Sequence, residues 1–427
     1  MKRFLLFLSL LVLFVFPADS QQAKAIVTVT PELAKVSTER LKKLDVALEE
    51  WVKKGWMHGG TVMIIRDGKT VYHKAVGYYN LEARTPLQKD AIFRIASQTK
   101  AVTSVAIMML FEEGKLLIND PVSKYIPSFK KQSVLEKFNA ADTTYTTVPA
   151  NREITIKDLL THTSGIGYAQ IGSREANSIY AKSNITVGIG VQDETLLGAM
   201  TRLGTLPLMH QPGQKWTYGL NTDLLGCLVE VISGVSLDEF FRTKIFEPLG
   251  MKDTYFLVPA SKANRMIGVY SEDGNGQLVP ATKRMLNSPV DASYPFVKST
   301  YYSGGAGLSS TILDYGIFLQ TLLNGGEYNG KRILSRNTVR MMTMNQIGDL
   351  NMWNEDKFGL GFNIVSEKNG NIPAQAGTYS WGGAFSTSYW VDPKEKLVLQ
   401  FYRQLTNTTH WDLTEKFRAL AYQAIND

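Results

Sequence analysis

The chain has 427 residues, a formal net charge of +7 and a single cysteine, Cys227. That length supports a substantial core in one or two lobes. One cysteine excludes an intrachain disulfide, and its apolar surroundings, Leu224-Leu-Gly-Cys-Leu-Val229, mark it as a packing residue. The lysines are scattered and Lys130-Lys131 is only a short pair, which describes a solvated surface and sets nucleic acid aside as a partner.

In chain order, Lys2 and Arg3 precede an apolar run over residues 4–16, and Pro17, Ala18, Asp19 and Ser20 form a polar exit. Residues 1–20 read as a secretory signal, too short to cross a bilayer. The expected location is periplasmic or secreted, with no stable membrane span after cleavage. An amphipathic helix is expected over 38–54. The runs 62–66 and 70–76 flank Asp67-Gly68, a hairpin signal. A helix opening around Ser97 and ending near Gly114 is apolar almost all the way round, as buried helices are. Residues 158–162 form a short helical piece, and 221–233 a longer helix closed by Gly234. Ser236-Leu-Asp-Glu239 is a capping box whose helix stops before Pro248. Segments 130–150 and 168–195 are polar and weakly periodic, like loops that cover a substrate.

The last third returns to strands. Runs 385–391 and 397–404 flank Asp392-Pro393-Lys394 as a second hairpin, and a final helix covers roughly 413–425. Helix and strands at the start, mirrored by strands and helix at the end, predict an α/β (α+β) fold. One antiparallel sheet would be built from both termini and flanked by terminal helices, with a mostly helical lobe inserted. The expected bounds are 37–96 and 297–425 for the sheet lobe and 97–296 for the helical lobe.

Lys100 stands in the first turn of the apolar helix. Burial disfavours an ammonium there, and so does the positive end of the helix dipole. Ser97 lies one turn away on the same face. A serine beside a lysine that prefers to be neutral is a nucleophile with a base; a serine at a helix start is also a preferred N-cap, and these residues alone leave both readings open. The other Ser-x-x-Lys, at Ser128 and Lys131, follows Pro127 in a basic stretch with no apolar helix to bury its lysine. There is no Gly-x-Ser-x-Gly elbow, no P-loop or dinucleotide fingerprint, and no metal-ligand spacing among the five histidines. Neither a cofactor nor a metal is expected. His162 reads as a residue that fixes its loop rather than as a base.

Ser97-x-x-Lys100 is followed by Asp158-Leu-Leu-Thr-His-Thr-Ser-Gly-Ile166, Gln211-Pro-Gly213, Trp216-Thr-Tyr218, Pro248-Leu-Gly-Met251 and Gly304-Gly-Ala-Gly-Leu308. In this order and spacing the set resembles the serine β-lactamase/penicillin-binding-protein superfamily over roughly residues 37–425. The nearest branch holds class C β-lactamases, D-alanyl-D-alanine carboxypeptidases and β-lactamase-like carboxylesterases. The resemblance implies a β-lactamase/transpeptidase-like fold and an acyl-enzyme on Ser97. Lys100 would help remove the serine proton, and Tyr218 would shuttle protons between nucleophile, leaving group and water. Trp381-Gly382-Gly383 would be the third motif, entering a strand that begins at Ala384 and binding substrate together with Leu220. The main-chain amides of Ser97 and Ala384 would form the oxyanion hole.

The chain departs from the β-lactamase and carboxypeptidase pattern at two points. Their second motif usually reads Tyr-x-Asn, whereas Tyr218-Gly219 is followed by Leu220, with Asn221 and Asp223 close by but shifted. Their third motif usually opens with lysine or histidine; here stands Trp381, an apolar face with one indole donor. Both changes remove polar recognition, a charged hydrogen bond being worth about 1.5–3 kcal/mol, and tryptophan at this place is similar to the esterase members. The expected partner is a small-molecule ester or amide, foremost an ester with a neutral or apolar acyl group. Arg403 is a candidate replacement cation, with a surface position as the alternative. The competing readings are a class C-type β-lactamase or D-Ala-D-Ala carboxypeptidase, and a catalytically silent member that binds cell wall.

Overall fold

The computed structural model describes residues 25–185, 188–281, 290–370 and 372–426; the expected signal at 1–20 lies outside the described residues. Strands from both ends of the chain form one central sheet. They are Val27–Thr28 (β1), Gly59–Arg66 (β2), Lys69–Gly77 (β3), Lys357–Phe358 (β4), Asn363–Ile364 (β5), Tyr379–Gly383 (β6), Thr387–Asp392 (β7) and Leu397–Arg403 (β8). Their spatial order is β1-β3-β2-β8-β7-β6-β5-β4. Every neighbouring pair is antiparallel except β1 with β3. The two ends meet at the centre, where β2 and β8 pair from Arg66 opposite Leu397 to Gly60 opposite Arg403.

Four helices position the rest: α1 (Thr38–Lys53), α2 (Thr99–Glu112), α3 (Asn221–Ser233) and α4 (Asp412–Tyr422). Successive strand side chains point to opposite faces, and both faces are apolar. Val62, Ile64, Leu399 and Phe401 pack against Leu41, Leu44 and Leu48 of α1 and Leu413 and Phe417 of α4. Met63, Ile65, Val398 and Tyr402 face the larger core that contains α2 and α3. In α2 every residue from Thr99 to Met108 is buried, as is Leu110. A helix without a polar face has no stable place at the surface, and this one runs through the middle of the molecule. Among the described residues no helix is long and apolar enough to cross a membrane.

Several elements differ from expectation, each for a local reason. Segment 130–150 contains a hairpin, Ser133–Phe138 with Tyr145–Pro149; its second strand is exposed throughout, so no apolar alternation betrays it. Segment 168–195 contains the helix Arg174–Lys182, whose start is capped by the Ser173 hydroxyl accepting from the Ala176 N–H. The helix after Ser236 does not stop before Pro248. It passes through a π-helical stretch, Arg242–Phe246, into a last turn, Glu247–Leu249, in whose opening a proline is tolerated. Trp381-Gly382-Gly383 ends β6 rather than leading into a strand, pairing with Tyr389, Ser388 and Thr387, and Ala384 stands in the exposed turn that follows. Glycines are depleted in strands, so the run carries no strand signal of its own.

Candidate active site

Ser97 occupies a tight turn, Ala96–Gln98, immediately before α2. Ala96 has φ of 41°, a left-handed conformation that is costly with a Cβ and that gathers at functional sites. Neither the turn nor α2 has a side-chain cap, so Ser97 is not a helix cap. Its Oγ instead accepts from Tyr218 Oη at 2.8 Å and from Lys100 Nζ at 3.2 Å.

Lys100 is 3% exposed. Besides Ser97, its Nζ donates to Tyr168 Oη at 2.9 Å and to the Gly305 carbonyl at 2.8 Å, and it lies 4.7 Å from the Tyr218 ring centroid. The three donors of an ammonium meet three acceptors, which offsets the cost of burying it. Burial, then the Tyr218 and Asp223 charges, push the Tyr168 phenol well above its ordinary range.

Tyr218, three residues before α3, is held in this cluster by the stretch that follows the short helix Ile156–Leu160. The Thr155 hydroxyl and Asp158 carboxylate close a capping box at that helix start, and Arg152 pairs with Asp158. The chain then turns through His162 in a left-handed conformation, φ 56°. The His162 carbonyl accepts from the Thr217 N–H at 2.7 Å, and the Gly167 carbonyl from the Leu220 N–H at 3.0 Å. His162 Nδ1 lies 2.9 Å from Asn221 Nδ2. Burial, with the Lys100 charge behind it, holds the His162 imidazole well below its ordinary range and therefore neutral. These contacts describe a loop-fixing histidine.

Leu220, expected at the substrate, is not there: it is wholly buried and joins the core beneath α3. Asn221 is committed to His162 and to the Ser164 hydroxyl. Arg403 is neither a surface residue nor a cation of the site. It is fully buried, with Nη1 donating to the His410 carbonyl and Nη2 to Thr414 Oγ1, each at 3.0 Å. It shares a strand face with Leu399 and Phe401, so it ties β8 to α4 on the side of the sheet away from Ser97.

The third motif does reach the cleft. Strand β5 pairs only with Tyr379 and Ser380, so among the described residues Trp381, Gly382 and Gly383 have β7 as their partner strand on one side and an open edge on the other. A Cβ on Gly383 would sit 2.3 Å from the Ile95 carbonyl oxygen; only glycine lets the strand end approach the nucleophile turn so closely. The chain at Gly383 and Ala384 is thereby set beside the turn that carries Ser97.

Of the rings clustered around Tyr218, Trp216 and Trp381 belong to motifs read from the sequence, whereas sequence reasoning missed Tyr168, Trp353 and Phe358. Trp216 stacks at 6.0 Å and 10°, Trp381 lies at 5.5 Å, and Trp353 meets Trp216 edge-on at 4.7 Å. Phe358 closes the cluster against Trp381 at 5.6 Å. A cleft of about 450 Å³ is lined by Tyr168, Ile171, Trp216, Tyr218, Met352 and Trp353. Tyr168 had a usable signal, because it stands two residues past the motif that ends at Ile166; Trp353 lies in a stretch with no period.

The β-lactamase family model matches residues 44–425 of this chain. Protein Rv1367c of Mycobacterium tuberculosis is 33% identical over 371 residues, covering 84% of this chain and 88% of that protein. Esterase EstB of Burkholderia gladioli is 28% identical over 383 residues, covering 86% and 90% respectively. Among solved structures, EstCE1, described as a hydrolase with promiscuous acyltransferase activity, has a TM-score of 0.77 at 24% identity, covering 90% of this chain and 98% of its own. The chain belongs to the β-lactamase family of serine hydrolases, whose members similar to it include esterase and carboxypeptidase-like proteins, and it has the β-lactamase/transpeptidase fold.

Proposed function

We propose that this protein is a secreted carboxylesterase that works through an acyl-enzyme on Ser97. The observation that carries the reading is the joining of the Ser97, Lys100 and Tyr218 cluster to a wall of aromatic rings. One of those rings, Trp381, stands at the third-motif position where the family resemblance implies a lysine or histidine. Rings of Trp216, Trp353 and Trp381 suit an apolar acyl or alcohol group, and their faces offer nothing that pairs with a carboxylate. The esterase EstB, similar over most of both chains, supports the same substrate class. Secretion rests on the composition of residues 1–20.

In this mechanism Ser97 Oγ bonds to the ester carbonyl carbon while its proton passes to the Lys100 and Tyr218 pair. The carbonyl oxygen, now negative, rests on the main-chain amides of Ser97 and Ala384. Collapse breaks the bond to the alcohol oxygen, which leaves with a proton from Tyr218. Water then enters in the reverse sense: it loses a proton to Tyr218 and bonds to the acyl carbon, the bond from that carbon to Ser97 Oγ breaks, and Oγ takes back a proton from the Lys100 and Tyr218 pair as the acid leaves.

The test is a panel of short- and medium-chain aryl esters, a chromogenic cephalosporin and a D-Ala-D-Ala peptide, run beside Ser97→Ala. Ester turnover that disappears in Ser97→Ala is expected. Turnover of the cephalosporin or the peptide without turnover of esters overturns the esterase reading, and saturable peptidoglycan binding with no turnover at all replaces it with a silent binding role.

A further inference from the structure

Asp223 stands in the first turn of α3, is 1% exposed, and has no part in the mechanism above. One oxygen, Oδ1, accepts from Ser303 Oγ at 2.7 Å and faces Tyr301 Oη at 3.5 Å. The other, Oδ2, lies against Gly305: a Cβ there would be 2.4 Å from Oδ2 and 3.5 Å from Lys100 Nζ. The Gly305 N–H donates to the Asp223 carboxylate, while the Gly305 carbonyl accepts from Lys100 at 2.8 Å. One glycine thus separates a buried carboxylate from the buried amine beside the nucleophile, and no larger residue fits between them.

A buried carboxylate is costly unless something compensates its charge. The titratable groups that face Lys100 are Tyr168, Tyr218, His162 and, across Gly305, Asp223; Tyr301 and Tyr168 face Asp223 from their own segments. Asp223 is the carboxylate of that set. Burial pushes its carboxyl up, while Ser303 and the Lys100 charge oppose the rise.

We propose that Asp223 is the positioning residue and counter-charge of Lys100: through the Gly305 peptide it fixes the carbonyl that holds Nζ beside Ser97, and its negative charge faces that amine across a single glycine. The inference rests on the roles of Ser97 and Lys100 given above. It adds that the proton balance of the site is controlled from a residue that touches neither substrate nor nucleophile.

The experiment compares Asp223→Asn with the parent protein between pH 5 and 9. Two rates are followed: kcat/KM for an aryl ester, and covalent labelling of Ser97 by a fluorophosphonate probe. Asparagine keeps the shape and removes the charge. The acidic limb of both profiles is expected to move to lower pH by about one unit, the low end of what removing a neighbouring opposite charge does. Ser303→Ala, which deletes a hydrogen bond but leaves the charge, is expected to slow the enzyme with the limb in place. If Asp223→Asn fails to fold, Asp223→Ser removes the same charge with a smaller side chain and must give the same displacement. Profiles of the neutral variants that superimpose on the parent, whatever their height, overturn the proposal. Labelling does not depend on the substrate class: a displaced labelling profile with no ester turnover upholds Asp223 and sinks the esterase, and ester turnover with an unmoved profile does the opposite.

Discussion

Tyr218 reaches across 121 residues of chain to donate its hydroxyl proton to Ser97 Oγ at 2.8 Å. The same oxygen accepts from Lys100, so the nucleophile is held between a phenol and an amine, both already aimed at it. A site built this way keeps both proton-carrying groups of the proposed mechanism within hydrogen-bond reach of the nucleophile. Deleting one hydroxyl in Tyr218→Phe leaves the ring in its aromatic cluster and removes the shuttle. A fall in kcat of about 10²–10⁴, with KM nearly unchanged, is expected in steady-state ester hydrolysis. A fall confined to KM would place Tyr218 in binding instead.

Trp353 is 68% exposed yet meets Trp216 edge-on at 4.7 Å, so its ring is available to a ligand without being needed for folding. Trp353→Ala is expected to raise KM for medium-chain aryl esters up to about tenfold, in line with the 0.5–1.5 kcal/mol of an aromatic contact. Acetate esters and thermal stability should change little. Equal effects on short and medium chains would argue against this wall as the acyl or alcohol subsite.

Gly383→Ala tests how the third motif is placed. The added methyl would lie 2.3 Å from the Ile95 carbonyl oxygen and 2.4 Å from Thr387 Oγ1, so the strand end must draw back from the nucleophile turn. Loss of one oxyanion donor costs about 2.7–4 kcal/mol, and a fall in kcat of about 10²–10³ is expected in a protein that still unfolds cooperatively. Wild-type kcat in a well-folded Gly383→Ala would remove this strand end from the reaction.

How far the site could be read ahead of the structure depended on how local its information is. The burial of α2 shows in ten consecutive residues without a polar face, and Lys100 stands out against it. Tyr218 is one of nineteen tyrosines and emerges only through its motif. The partners of Lys100 come from Tyr168 and Gly305, 68 and 205 residues away, and no periodicity links those segments. Trp353 sits in an irregular stretch near Asp356, a buried carboxylate that accepts from the side chains of Asn354, Asn363 and Asn369 and from the Ser366 N–H. That hub exists only once the chain has folded back on itself. Leu220 sits among functional neighbours in the sequence, but its own side chain turns into the core.

Acid sensitivity of the fold follows from its buried histidines. Burial against the Tyr270 ring, 4.4 Å away, pushes His58 down to about 3, against about 6.5 in an unfolded chain. Between those values the unfolded chain takes up a proton that the folded chain refuses. Stability from this group is therefore complete above pH 6.5 and drains away as the pH falls toward 3, with a slope of up to about 1.4 kcal/mol per pH unit. His162 acts in the same direction. Denaturant unfolding at pH 8, 7, 6 and 5 should show the decline, and His58→Gln should lose less between pH 7 and 5 than its parent. An equal loss in both would contradict the assignment.

The most direct test of the account is to trap the intermediate. The protein is mixed with a slowly deacylated aryl ester, quenched in acid and digested, and the acyl mass is located by tandem mass spectrometry. The account predicts a single acyl adduct on Ser97, formed in the wild-type protein and missing, together with ester turnover, in Ser97→Ala. An adduct on another residue, or undiminished turnover in Ser97→Ala, would contradict it.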